Sequence, residues 1–269
     1  MSTKGTAVVT GASSGIGAIY ADRLARRGYD LVIVARNAER LEKQAEALRA
    51  RHGVAVRTLS ADLTDKSELR QVEDLLRNDT SVSLLVNNAG FGGAGELLQS
   101  DVDRMEEMVD VNVTAVMRLA YAAAPGFAAR GAGAIINIAS IVAIGPEILN
   151  GVYGGTKAFV LAFSRSLHKE LSPKGVQVQV VLPGATATDF WDTAGVPVSH
   201  LPTEWVMTAE NLVDAALLGF ERGEFASIPS LQDGAEWEAY ETARQAMLPH
   251  LSSSAVSPRY RAGADAGAL

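Results

Sequence analysis

A single doubly wound α/β domain, with about seven parallel strands and helices on both faces, is the architecture this sequence predicts. Three observations predict it. Short β-branched runs alternate with long amphipathic segments along the first 230 residues. The runs are nearly all apolar rather than alternating, as strands buried on both faces are. The links between them are mostly short, which suits a parallel sheet wrapped by helices.

The elements follow in order. A strand over 6–10 enters a helix over 16–28. A second strand, 31–35, precedes a helix over 38–51, with Asn37 as its cap and Gly53 as its stop. The third strand, 54–59, leads to a helix over 66–77, where Asp65 and Glu68 have the spacing of a capping box. Strand 83–87 then feeds a long helix, 101–129, and strand 134–139 feeds another, 151–172, closed by Ser172-Pro173. A sixth strand spans 176–182, a helix 208–222 and a last strand 225–229. Between strand and helix, 183–207 forms a long connection carrying Phe190, Trp191 and Trp205, read as lid walls of a substrate pocket in preference to core residues. Residues 1–230 are expected to form the working domain. Residues 231–269 are expected to add one helix, near 233–248, and a flexible tail from Pro249 to Leu269.

Composition narrows the classes. The 269 residues include no cysteine, so disulfides, thiolate nucleophiles and cysteine-bound metals are excluded. The net charge of −7 argues against a nucleic-acid partner. The first apolar run ends at Thr10, and no run approaches a membrane span, so no secretory leader or membrane anchor is expected and the cytoplasm is the default location. The histidines at 52, 168, 200 and 250 share no metal-ligand spacing; they are read as solvent-facing or incidental, and no metal is expected.

The first strand runs into Thr10-Gly11-Ala12-Ser13-Ser14-Gly15-Ile16-Gly17. Glycines allow a tight turn, and backbone N–H groups at a helix start can cradle a phosphate. About 20 residues on, where NAD sites place an acid for the ribose 2′-OH, stands Ala35, followed by Arg36. A guanidinium pairs with a 2′-phosphate, so NADP is favoured, with NAD possible. Further along, Tyr153 and Lys157 are spaced to share one helix face. An ammonium 4 Å from the phenol, at an effective dielectric of about 20, favours phenolate by roughly 4 kcal/mol and brings its pKa near 7. General acid–base work is efficient there. Ser140, at the carboxyl end of the fifth strand, can bond a substrate oxygen.

These motifs, with Asn87-Asn88-Ala89-Gly90 after the fourth strand and Pro183-Gly184 with Thr188 after the sixth, resemble those of the short-chain dehydrogenase/reductase family over residues 5–230. The resemblance implies a Rossmann-type domain and hydride transfer between NADP(H) and a ketone, aldehyde or secondary alcohol. It implies that Tyr153 handles the hydroxyl proton, Ser140 positions the substrate oxygen, Lys157 acidifies the tyrosine and bonds the nicotinamide ribose, and Asn112 supports a proton-relay water. It further implies cofactor contacts at Gly11, Ser13, Ser14, Gly15, Ile16 and Gly17, at Asp62 and Leu63, at Asn88, Ala89 and Gly90, and at Pro183, Gly184, Thr186 and Thr188. It implies a homodimer or homotetramer built on 101–129 and 151–172. Many NADP-preferring members carry a basic residue where this chain has Ser14, which leaves Arg36 as the main phosphate partner.

Two other readings compete. One is a dinucleotide-binding sensor or scaffold without useful chemistry. The other is a serine hydrolase, since Gly11-Ala12-Ser13-Ser14-Gly15 also fits a nucleophile elbow, with Asp189 or Asp192 and His200 or His250 to complete it. That reading leaves Tyr153 and Lys157 unexplained.

Overall fold

The computed structural model describes residues 4–93, 95–191 and 197–261. Seven parallel strands form the central sheet. They are β1 (Thr6–Thr10), β2 (Asp30–Ala35), β3 (Val56–Ser60), β4 (Val82–Asn87), β5 (Gly133–Ile138), β6 (Val176–Val181) and β9 (Ala226–Ser227), in the order β3-β2-β1-β4-β5-β6-β9. The order reverses beside β1, which pairs with both β2 and β4. A doubly wound sheet opens its ligand crevice at such a point, off the carboxyl ends of the strands. All residues of β1 are buried, as its unbroken apolar run requires.

The helices lie on both faces. On one, α1 (Gly15–Arg26), α2 (Ala38–His52) and α7 (Ala209–Glu221) pack Tyr20, Leu24, Leu41, Leu212 and Val213 against Ile33, Leu84 and Ile136. On the other, α3 (Lys66–Asn78), α5 (Val116–Arg130) and α6 (Gly151–Leu171) pack Leu69, Val72, Leu119, Phe127 and Leu167 against Val8, Val32 and Leu85. Asn37 caps α2 by accepting from the Arg40 N–H at 2.9 Å, and Gly53 ends it with a φ of +68°.

Four expectations need correction. The segment 101–129 is not one helix: α4 (Val102–Val109) passes through a π-helical turn, Asp110–Ala115, into α5. The capping box is half made. Asp65 accepts from the N–H groups of Ser67 and Glu68, but the Glu68 carboxylate accepts from Asp62 N–H at 2.6 Å instead of returning to Asp65. The last strand shrinks to Ala226–Ser227 because β6 offers it only two register partners. The long connection is partly ordered: β7 (Thr186–Ala187) pairs with β8 (Met207–Thr208), and the part at 192–196, with Asp192, lies outside the described residues.

Of the two readings of the histidines, His52 does not take the solvent-facing one. Its side chain is 10% exposed, and Nε2 lies 2.9 Å from the Asp22 carboxylate, which also accepts from Arg23 and Arg51 at 2.7 Å. These hydrogen bonds hold Asp22 down at a pKa of about 2 against the opposing pull of burial.

The chain divides into two compact units, Met1–Ser230 and Leu231–Leu269. In the second, α8 (Gly234–Met247) is capped by Asp233 and stacks Trp237 on Tyr240. Of the expected tail, 249–261 is described and exposed, and 262–269 lies outside the described residues. Among the described residues, no helix is long and apolar enough to cross a membrane, and no group of metal-ligating side chains is found.

Candidate active site

A cleft of about 1370 Å³ opens across the carboxyl ends of the strands. That exceeds the usual few hundred to 1,000 Å³ of a small-molecule site, and is roomy enough for a dinucleotide and a substrate together. Its floor at one end is the loop between β1 and α1. Gly11 and Gly15 there have φ of +67° and +53°, a region closed to most side chains. A Cβ on Gly11 would sit 2.8 Å from Asn88 Nδ2, so the loop and the Asn88-Ala89-Gly90 turn are in close contact. Asn88 fixes that contact: its Nδ2 donates to the Thr10 carbonyl at 2.9 Å, and its backbone N–H donates to the Thr10 hydroxyl oxygen at 3.0 Å. The first turn of α1 has no side-chain cap and no acidic residue. Its N–H groups and the helix dipole are therefore left for an anion. This cradle fits the pyrophosphate of a dinucleotide.

The opposite wall carries the reacting groups. Asn150 places Tyr153 by capping α6, accepting from Val152 N–H at 2.9 Å and Tyr153 N–H at 3.3 Å. Asn150 Nδ2 in turn donates to the Gly95 carbonyl at 2.7 Å. The Tyr153 hydroxyl is hydrogen-bonded to Ser140, and Phe190 packs against its ring at a centroid distance of 5.7 Å. Lys157 Nζ donates to the Ile138 carbonyl at 2.9 Å and stands 5.9 Å from the tyrosine ring centroid.

That geometry overturns the expected phenol pKa near 7. Lys157 commits a hydrogen bond to the Ile138 carbonyl, and its charge does not offset the burial of the phenol. Burial then dominates both groups. It pushes the Tyr153 phenol up to about 12, against a lowering by the Ser140 hydrogen bond, and pushes the Lys157 ammonium down to about 8. With its phenol pushed up, Tyr153 holds its proton near neutrality.

The cleft is lined by Gly11, Ser13, Ser14, Gly15, Ile16, Arg36, Asp62, Leu63, Asn88, Ala89, Gly90, Ser140, Tyr153, Lys157, Pro183, Gly184, Thr186 and Thr188. Of the catalytic and cofactor residues that the resemblance implies, Gly17 and Asn112 do not line it. Gly17 is a packing residue: a Cβ there would run into the Gly11 carbonyl and Asn88 Nδ2. Asn112 is 1% exposed, behind the wall. It sits in the π turn, accepts from Phe91 N–H at 3.1 Å, and donates to the Phe91 carbonyl at 2.9 Å and to Thr156 Oγ1 at 3.1 Å. Thr186 donates to the Gly184 carbonyl and receives the Trp191 indole N–H on its own carbonyl at 2.8 Å. Among the described residues no histidine lines the cleft, so Ser13 lacks the base a hydrolase needs.

Several lining residues escaped the sequence reading. Phe91, Arg104 and Glu107 form one flank, with the Arg104 guanidinium 4.0 Å over the Phe91 ring and 2.7 Å from Glu107. Ile148, Leu149 and Leu201 add apolar wall. Arg40, in the first turn of α2, lines it as well, and no sequence signal singled it out. Phe190 and Trp191 pack edge to face, and Trp205, 67% exposed, lines the mouth.

Fold and cleft together define a nucleotide-crevice α/β protein, and comparison with known proteins narrows the class. Residues 5–196 match the family model described as short chain dehydrogenase. A short-chain dehydrogenase from Sphingobium yanoikuyae, solved in complex with NADPH, is 48% identical, with a TM-score of 0.92 over 95% of this chain and 100% of that one. The bulky-bulky ketone specific alcohol dehydrogenase from Comamonas testosteroni is 44% identical, with a TM-score of 0.89 over 96% of this chain and 99% of that one. An uncharacterized oxidoreductase of Staphylococcus epidermidis is 34% identical over 215 residues, covering 78% of this chain and 88% of its own. The chain belongs to the short-chain dehydrogenase/reductase family of oxidoreductases.

Proposed function

We propose that this protein transfers hydride between NADP(H) and a ketone, aldehyde or secondary alcohol, with Tyr153 as the general acid and base. One observation carries the reading: Tyr153, hydrogen-bonded to Ser140 and backed by Lys157, faces the same cleft as the glycine loop. The domain concerned is 1–230.

In this reading the loop 11–17 and the α1 N-terminus hold the pyrophosphate, Asp62 and Leu63 the adenine, and Asn88, Ala89 and Gly90 the adenosine ribose. Ile16, Pro183, Gly184, Thr186 and Thr188 flank the nicotinamide, and Arg36 meets the 2′-phosphate. The Sphingobium neighbour's NADPH supports the choice of nucleotide. Bound there, the cofactor supplies a hydride from C4 of its nicotinamide. Ser140 donates to the substrate oxygen and orients the carbonyl. Tyr153 gives its hydroxyl proton to that oxygen as negative charge develops on it. The Lys157 ammonium stabilises the phenolate left behind. For alcohol oxidation the same groups work in reverse, with Tyr153 taking the proton.

The cleft's apolar end, with Phe91, Ile148, Leu149, Phe190, Trp191 and Trp205, suits a substrate with hydrocarbon on both sides of its oxygen. The Comamonas neighbour's specificity for bulky-bulky ketones supports the same class. A homodimer or homotetramer through α5 and α6 belongs to this reading; Tyr121 there is exposed and stacks on Phe163 at 6.3 Å. The test is titration with NADPH and NADH, then a panel of aryl, alkyl and small ketones followed at the reduced-nicotinamide absorbance. Turnover of bulky ketones with NADPH is expected. Silence across the panel with tight nucleotide binding would leave a sensor instead.

A further inference from the structure

We infer that Asn150 is a positioning residue: it latches Gly93, Gly95 and Ser100 to the first turn of α6 and so sets the width between the two walls that hold the substituents of a bulky substrate. The role rests on the ketone reading above and adds to it a residue that does not itself line the cleft.

The two walls come from distant parts of the chain. One leaves β4 at Phe91, Gly92 and Gly93. Phe91 lines the cleft, and Gly92 runs beside the reacting phenol: a Cβ there would collide with the Phe190 ring and stand 3.3 Å from Tyr153 Cε2. The other wall is the start of α6, where Leu149 and Tyr153 line the cleft on either side of Asn150 in the chain. Asn150 is buried behind them.

Its side chain is used at both ends. Oδ1 accepts from the Val152 and Tyr153 N–H groups, a task that a serine or aspartate oxygen also performs at a helix start. The amide nitrogen does what those residues cannot: it donates to the Gly95 carbonyl at 2.7 Å and to Ser100 Oγ at 3.2 Å. The Asn150 backbone N–H adds a bond to the Gly93 carbonyl at 3.3 Å. Among the described residues, the side-chain hydrogen bonds that join 95–100 to the rest of the chain both come from Asn150. Packing gives that stretch little else, since Leu97 and Leu98 are 83% and 92% exposed and Gln99 is not buried. From the other direction Asn112 holds Phe91 by its N–H and carbonyl, and Thr156 links Asn112 to the Tyr153 carbonyl. Gly92 thus lies between two anchors, each tied to the backbone of Tyr153. A substituent that fills the space between Phe91 and Leu149 passes any widening of these walls on to the carbonyl, where a shift of about 1 Å can cost about 10²-fold in rate. A small ketone does not span both walls and is less affected.

The experiment compares wild type, Asn150→Ser and Ser100→Ala as full chains, by reduction of a small and a bulky ketone with NADPH and by hydrogen exchange without ligand. Serine keeps the cap on α6 and loses the reach to Gly95. Asn150→Ser is expected to lower the ratio of kcat/KM for the bulky over the small ketone about tenfold. It is also expected to speed exchange of the Gln99 and Ser100 amides while α6 beyond Lys157 stays protected. Ser100→Ala, which leaves the cap untouched, is expected to shift the ratio the same way by about threefold. A ratio in Asn150→Ser at or above the wild-type value would overturn the role. Exchange that rises as much through α6 as over 95–100 would make Asn150 a simple cap and would also overturn it. A wild type that reduces no ketone would refute the ketone reading instead, and exchange then decides the latch alone: unchanged exchange over 95–100 in Asn150→Ser overturns it.

Discussion

Tyr153 and Lys157 were legible as a pair from spacing, but their electrostatics were not. The i, i+4 rule gives a shared face and says nothing of where a long side chain ends. Here the Ile138 carbonyl, 19 positions earlier in the chain, captures the ammonium. The consequence is a pH profile with a definite sign. Ketone reduction needs the phenol protonated and the ammonium charged. The phenol meets that condition up to a pKa of about 12, and the lysine only below about 8. We expect kcat/KM for reduction to be level between pH 6 and 7 and to fall as pH rises through about 8. A profile level to pH 10 would contradict the assigned role of Lys157. Asn112 shows the same limit of sequence reading. Its poor helix propensity announced a break, but its two-sided hold on Phe91 depends on a π turn that no short-range pattern encodes. Asn112→Ala orphans the Phe91 N–H and is expected to cost about 1–3 kcal/mol, read as a lower melting temperature together with slower turnover.

At the scale of elements, caps and apolar periods located nearly every boundary, because those signals are local. Asn37, Gly53 and Asp65 act where the sequence placed them, and α6 begins at Asn150, whose side chain caps it. What was not legible depends on distant partners: the two-residue sheet of β7 with β8, and the tether of Asn150 to Gly95. The start of α6 also depends on Gly154. A Cβ there would meet the Pro146 backbone, with its Cα and carbonyl oxygen both at 2.8 Å. Neither can yield without moving the turn that adjoins Tyr153. Gly154→Ala is therefore expected to destabilise by about 1–3 kcal/mol despite its better helix propensity, and to lower kcat. Chemical denaturation with parallel kinetics checks this; a neutral or stabilising effect would contradict the packing described.

For the whole molecule, alternation of apolar strands with amphipathic helices was enough to give the parallel sheet, since its inner strands are covered on both faces, while the edge strand β3 is largely exposed. The strand order that opens a crevice beside β1 then gathers residues from 11 to 230 into one cleft. Glycine loop, serine, tyrosine and lysine are far apart in sequence, and only the crossover topology brings them together. The central claim is that one phenol in this cleft moves the proton while the rest of the site holds the nucleotide. Replacing Tyr153 by Phe and measuring NADPH affinity and single-turnover ketone reduction on the same preparation tests it most directly. The account predicts affinity close to wild type and a reduction rate lowered by about 10²-fold or more. A Tyr153→Phe enzyme that reduces ketone at the wild-type rate would contradict it.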